Sequence, residues 1–138
     1  MKKFAAIIAT TVTLSACFGA PPNEKILTDF CTDLFAGEEQ TATRIAQTTG
    51  GSLETYCGCF ASQTVSEARN IDLYKDILLS MTELRDAEKL TLDETAEEIE
   101  RRLDAGEIEG FAEDDLGSLD DAFRDLLTDM MGSNGTCP

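Results

Sequence analysis

The chain contains no histidine and no tryptophan, only three prolines, and 11 basic residues against 27 acidic ones. Without histidine there is no imidazole to act as general acid or base, to ligate a metal, or to activate a serine or cysteine. A formal charge of −16 argues against binding nucleic acid, whose phosphates are met by Lys and Arg. The longest apolar run, Phe4 to Leu14, has 11 residues, interrupted only by threonines. A helix spanning a bilayer core needs about 20. No glycine-rich phosphate loop, serine-nucleophile elbow or metal-binding triad occurs, and there is no internal repeat or low-complexity segment.

What is present begins with an address. Lys2 and Lys3 precede the apolar run, and small residues follow it, the order of a removable targeting segment. Within it, Leu14-Ser15-Ala16-Cys17 resembles the lipobox of bacterial lipoproteins. The resemblance implies cleavage before Cys17, a diacylglyceryl group on its sulfur, and acylation of the new amine with a fatty acid such as palmitate. Several acyl chains together give the stable membrane anchoring that one chain does not. Phe18 stands where Asp would favour retention in the inner membrane, so the resemblance implies the outer membrane, with the domain facing the periplasm. On this reading residues 1–16 are a signal peptide, 17–22 a lipidated cysteine and short tether, and 23–138 the working domain. Removing 16 of the 138 residues takes away two of the 11 bases and none of the acids, which leaves nine bases against 27 acids, or −18.

Assigning Cys17 to lipid leaves Cys31, Cys57, Cys59 and Cys137, an even set that in an exported chain reads as two disulfides. Residues 52–68 are expected to be helical, with Ser52 as N-cap after Gly50-Gly51. Cys57 and Cys59 then lie about 200° apart around the axis, which excludes bonding them to each other without breaking the helix. Leu53, Cys57, Phe60 and Thr64 form one inward stripe, and Leu27, Phe30, Cys31 and Leu34 form another. Two inward cysteines should meet, so Cys31–Cys57 and Cys59–Cys137 is the expected pairing. The close spacing in Cys57-Gly58-Cys59 also allows a second reading, a dithiol that exchanges disulfides or holds a soft metal with Met130 or Met131. Met130 and Met131 read more simply as core.

Apolar spacing predicts six helices and no strand, an all-α compact bundle of short helices stapled by two disulfides. The expected spans are 23–36, 38–48, 52–68, 72–89, 91–105 and 118–131. Inward stripes run through Ala42, Ile45 and Ala46; Tyr74, Ile77, Leu78, Met81 and Leu84; Leu92, Ala96, Ile99 and Leu103; and Leu119, Phe123, Leu126, Leu127 and Met130. Ser118 and Asp121 resemble a capping pair at the start of the last helix.

Between Glu83 and Asp129 there are 18 acids and five bases. Asp104, Glu107, Glu109, Glu113, Asp114 and Asp115 crowd the connection before the last helix. Carboxylates in a loop are candidate ligands for a hard cation such as Ca²⁺. The EF-hand pattern fails here, because Gly106 and Ile108 occupy two of the positions that need acids. A solvated acidic face or a docking surface for a basic protein partner are the other uses. The expectation is a non-enzymatic, membrane-anchored acidic lipoprotein acting as a binding or scaffolding module, with no cofactor beyond the lipid on Cys17. A thiol-disulfide or metal-handling protein and a hydrolase using the acidic loop are the alternatives.

Overall fold

The computed structural model describes residues 22–68 and 70–138. The lipobox, Cys17 and the signal segment lie outside these residues. Six helices follow one another: α1 (Pro22–Ala36), α2 (Glu39–Thr49), α3 (Leu53–Glu67), α4 (Ile71–Glu88), α5 (Leu92–Asp104) and α6 (Glu113–Gly132), with no strand among the described residues. No helix of the described residues is long and apolar enough to cross a membrane.

Local chemistry sets the helix ends. Pro22 opens α1, where its missing N–H would be unpaired in any case. Ser52 Oγ accepts from the Thr55 N–H at 3.1 Å and so caps α3. Thr91 and Glu94 form a reciprocal capping box on α5, with the Glu94 carboxylate accepting from the Thr91 N–H at 2.8 Å. The last turn of α1 is closed by a side chain from far along the chain. The buried Arg85 guanidinium donates to the carbonyls of Leu34 and, at 3.0 Å, Asp33. A cation at the negative end of a helix dipole is favourable, and here it also satisfies carbonyls that end the helix. The guanidinium needs Gly37 beneath it, since a Cβ there would lie 2.6 Å from it.

The core is built around α3. Six of its residues are buried, and they span an arc of about 200° from Cys59 round to Ala61. Cys57 faces α1 and bonds to Cys31, whereas Cys59, near the other edge of that arc, bonds to Cys137 beyond α6. Helix α1 packs mainly on α3 and α4. The α1 and α4 helices run parallel, because Lys75 donates to Asn23 at 3.2 Å near their starts and Arg85 meets α1 near its end. Five aromatic rings join the helices. Phe60 and Phe123 have centroids 4.4 Å apart, Phe35 and Phe123 5.1 Å, and Phe60 and Tyr74 5.9 Å. Tyr56 stacks on Phe123 at 6.0 Å. Both buried phenols pin α6 by donating to its backbone: Tyr56 to the Phe123 carbonyl at 2.8 Å, and Tyr74 to the Ser118 carbonyl at 3.3 Å.

Two expectations need correction. Helix α6 starts at Glu113, five residues ahead of its expected start at Ser118. Glu113, Asp114 and Asp115 occupy its first turn, where negative side chains meet the positive end of the dipole. Asp115 reaches back to accept from the Ala112 N–H at 2.8 Å. Ser118 is inside the helix and donates to the Asp114 carbonyl, so it caps nothing. The second correction concerns Met131, which is 55% exposed, whereas Met130 is fully buried. Adjacent positions lie about 100° apart on a helix, and the single α6 stripe takes in only the first of them.

Candidate functional site

The two cysteines of the Cys57-Gly58-Cys59 segment are not presented as a reactive pair. Each is fully buried and bonded to a different partner, with Cα separations of 5.6 Å to Cys31 and 5.3 Å to Cys137. Gly58 lies within the helix, and a Cβ there would meet nothing within 4 Å.

The acidic connection does not gather either. Asp104 ends α5, Glu109 is exposed in the loop, and Glu113 and Asp114 stand exposed on the first turn of α6. Glu107 faces Arg101 at 3.6 Å, and Asp115 is committed to the Ala112 N–H. Among the described residues no three His, Cys, Asp or Glu side chains converge on a point that a metal ion could occupy. Glu113, Asp114 and Asp115 serve the start of α6 instead, and Glu107 faces the last turn of α5.

Most of the few cations are tied into neighbouring acids. Arg101 donates to both oxygens of Glu98 at 2.7 and 2.8 Å, and Arg102 donates to Glu98 at 2.7 Å and also to Glu88. The two guanidinium donors, Arg101 first, hold the Glu98 carboxyl down at about 2. Arg124 is paired with Asp120 and, at 3.5 Å, Asp121. Arg44 on α2 has no ion pair among the described residues.

Arg44 stands at the mouth of an apolar cleft of about 480 Å³ bordered by α2, α5 and α6. That volume is within the range of small-ligand and side-chain pockets, about 300–1,000 Å³. The floor comes from Phe35 of α1, Tyr56 of α3, Met81 of α4, and Leu119 and Phe123 of α6. Ile45 of α2, Leu92 and Ala96 of α5, and Leu127 of α6 form its walls. Arg44, Asp93, Glu100, Asp120 and Arg124 line the rim. The cleft exists because α5 leans on α4 and leaves a gap towards α2 and α6. The Leu92 N–H donates to the Glu38 carboxylate at 2.8 Å and ties the start of α5 to the start of α2, while Arg102 of α5 pairs with Glu88 of α4. A second, polar cavity of about 620 Å³ continues along α2 and shares Thr41, Arg44, Leu92 and Asp93 with the first.

Tyr56 is the one hydroxyl in the floor. Burial first, and Asp120 second, push its ionisation well above the ordinary phenol range. It stays neutral and spends its proton on the Phe123 carbonyl, so its place in the cleft is structural.

Sequence spacing placed the Leu92, Ala96, Ile99 and Leu103 stripe against the core, yet only Ile99 is fully buried. An incompletely covered apolar stripe on an otherwise highly charged helix is the trace this cleft leaves in the sequence. Comparison with protein-family models, curated proteins and solved structures gives no match.

Proposed function

We propose that this protein is a non-enzymatic binding module, held at a membrane by lipid on Cys17 and working through the cleft between α2, α5 and α6. The cleft is the observation that carries the reading: an open apolar cavity of about 480 Å³ on a molecule that is otherwise densely charged. Exposed apolar surface of this kind, rimmed by polar groups, marks a place where something docks. The two disulfides, with sequence separations of 26 and 78, suit a small core that must persist outside the reducing cytoplasm. The lipobox supplies the anchor and the envelope address, with the outer membrane favoured by Phe18. Burial of Cys57 and Cys59 in separate bonds counts against thiol exchange or metal handling, and the scatter of the acidic side chains counts against a hydrolase.

The docking role is tested by photo-crosslinking in living cells. A benzophenone amino acid at Ala96, in the cleft, is expected to give a discrete adduct. The same residue at Leu79, exposed on α4 outside the cleft, is expected to give none. Equal labelling from both positions, or none from Ala96, removes the cleft as a docking place.

A further inference from the structure

Charge complementarity narrows what the cleft can hold. Asp93 and Glu100 lie on its α5 rim and have no ion pair among the described residues. They are seven residues apart, which is about 10.5 Å along the helix. Across the opening, Asp120 already shares Arg124 with Asp121. Glu38 and Glu39 extend the acidic border where the polar cavity continues. Against these stands one uncommitted cation, Arg44. A fatty acid or other anionic amphiphile would have to enter a molecule that carries 27 acids. A second copy of the chain would bring the same excess of negative charge to the interface. Both meet net like-charge repulsion, whereas a cationic visitor meets net attraction, strongest along the α5 rim and weakest beside Arg44.

Resting on the binding-module reading above, we propose that the cleft receives a cationic amphipathic helix of a partner protein. The cavity takes a row of apolar side chains at helical spacing, not a whole helix, and its aromatic floor of Phe35, Tyr56 and Phe123 is suited to such anchors. Lysines or arginines at i and i+7 on the flank of that helix meet Asp93 and Glu100, which have the same spacing. The opposite flank meets Asp120. This is a helix-in-groove contact in which apolar anchors supply affinity and the rim supplies selectivity for basic partners.

The test uses the full oxidised chain, as its producing cell processes it, at physiological salt. The probes are a Leu/Lys amphipathic peptide of roughly four turns, its Leu/Glu counterpart, and palmitate. Binding is followed by fluorescence anisotropy and by amide chemical shifts. The Leu/Lys peptide is expected to bind and to shift Ala96, Leu119 and Leu127. Reversing the rim with Asp93→Lys and Glu100→Lys is expected to weaken it by at least about tenfold. Asp76→Lys with Glu83→Lys makes the same change in net charge on exposed positions outside the cleft, and is expected to weaken it less than about threefold. Ala96→Trp, which fills the cleft, is expected to abolish binding. Amide spectra of each variant show whether the fold is kept. Equal losses from both charge reversals would mean attraction to bulk charge only and overturn the proposal. So would equal binding of the Leu/Glu peptide, saturable binding of palmitate in place of the peptide, or no binding of the Leu/Lys peptide. A cleft-specific crosslink to an acidic partner would keep the binding-module reading and remove this proposal. Missing acylation of Cys17 with rim-dependent peptide binding would keep the cleft proposal and remove only the membrane anchor from the reading it rests on.

Discussion

Gly135 is the residue on which the C-terminal closure turns. Its φ of +80° is one that side chains rarely adopt, and a Cβ there would lie 2.6 Å from the Gly51 nitrogen and 2.7 Å from the Thr49 oxygen. The clash is with backbone on the α2–α3 connection, which cannot swing aside as a side chain could. Gly135→Ala is expected to destabilise the oxidised protein by about 2–4 kcal/mol, combining left-handed strain with overpacking. Gly58→Ala, in a helix with open space around it, is expected to stabilise by about 0.5–1 kcal/mol. Urea unfolding of the two variants measures both, and equal stabilities would contradict the close backbone contact. Glu98 provides a second test at this scale. Its folded value of about 2 is depressed from 4.5 by Arg101 and Arg102. A depressed carboxyl contributes stability that is fully present above 4.5 and is lost as the pH falls through about 2. The pairs are at the surface, so their contribution is small and salt-sensitive. In a carboxyl NMR titration Glu98 is expected to have its midpoint near 2, moving upward when both Arg101 and Arg102 are replaced by Gln. A midpoint near 4.5 in the unaltered protein would show that the cluster does not form.

At the scale of the elements, the corrected start of α6 makes a sharp comparison. Asp115→Ala removes the carboxylate that accepts from the Ala112 N–H and is expected to cost about 1 kcal/mol. Ser118→Ala removes only a bond back to the preceding turn and is expected to change stability by less than about 0.5 kcal/mol. The opposite order in thermal unfolding would restore Ser118 as the cap. Helix phase was the most legible feature of the chain. All five inward positions of the α4 stripe are buried, and the angle between Cys57 and Cys59 separates their bonding partners in the structure as it did in the pattern. The start of α6 was not legible, because three consecutive acids read as loop charge until their position at a helix dipole is known. Arg85 was hidden for a different reason. Its partner carbonyls lie about fifty residues away, so nothing in its neighbourhood distinguishes it from a solvated arginine. The cleft depends on how far α5 leans from α2 and α6, an angle that no apolar period encodes.

For the whole molecule, the proposed anchor bears on where the cleft would stand. From Pro22 to Leu34 the α1 axis advances about 18 Å, so the floor of the cleft lies at the end of α1 remote from the point where a tether would join. That geometry has functional meaning only if the chain is anchored ahead of Pro22. The decisive measurement is therefore the chemistry of Cys17. Cells producing the protein are fed an alkyne fatty acid, and the purified chain is analysed by labelling and by intact mass. The expected result is a labelled chain that begins at Cys17 and carries acyl mass there, with neither label nor cleavage in Cys17→Ser. An unlabelled wild-type chain that keeps residues 1–16 would contradict the membrane-anchored account.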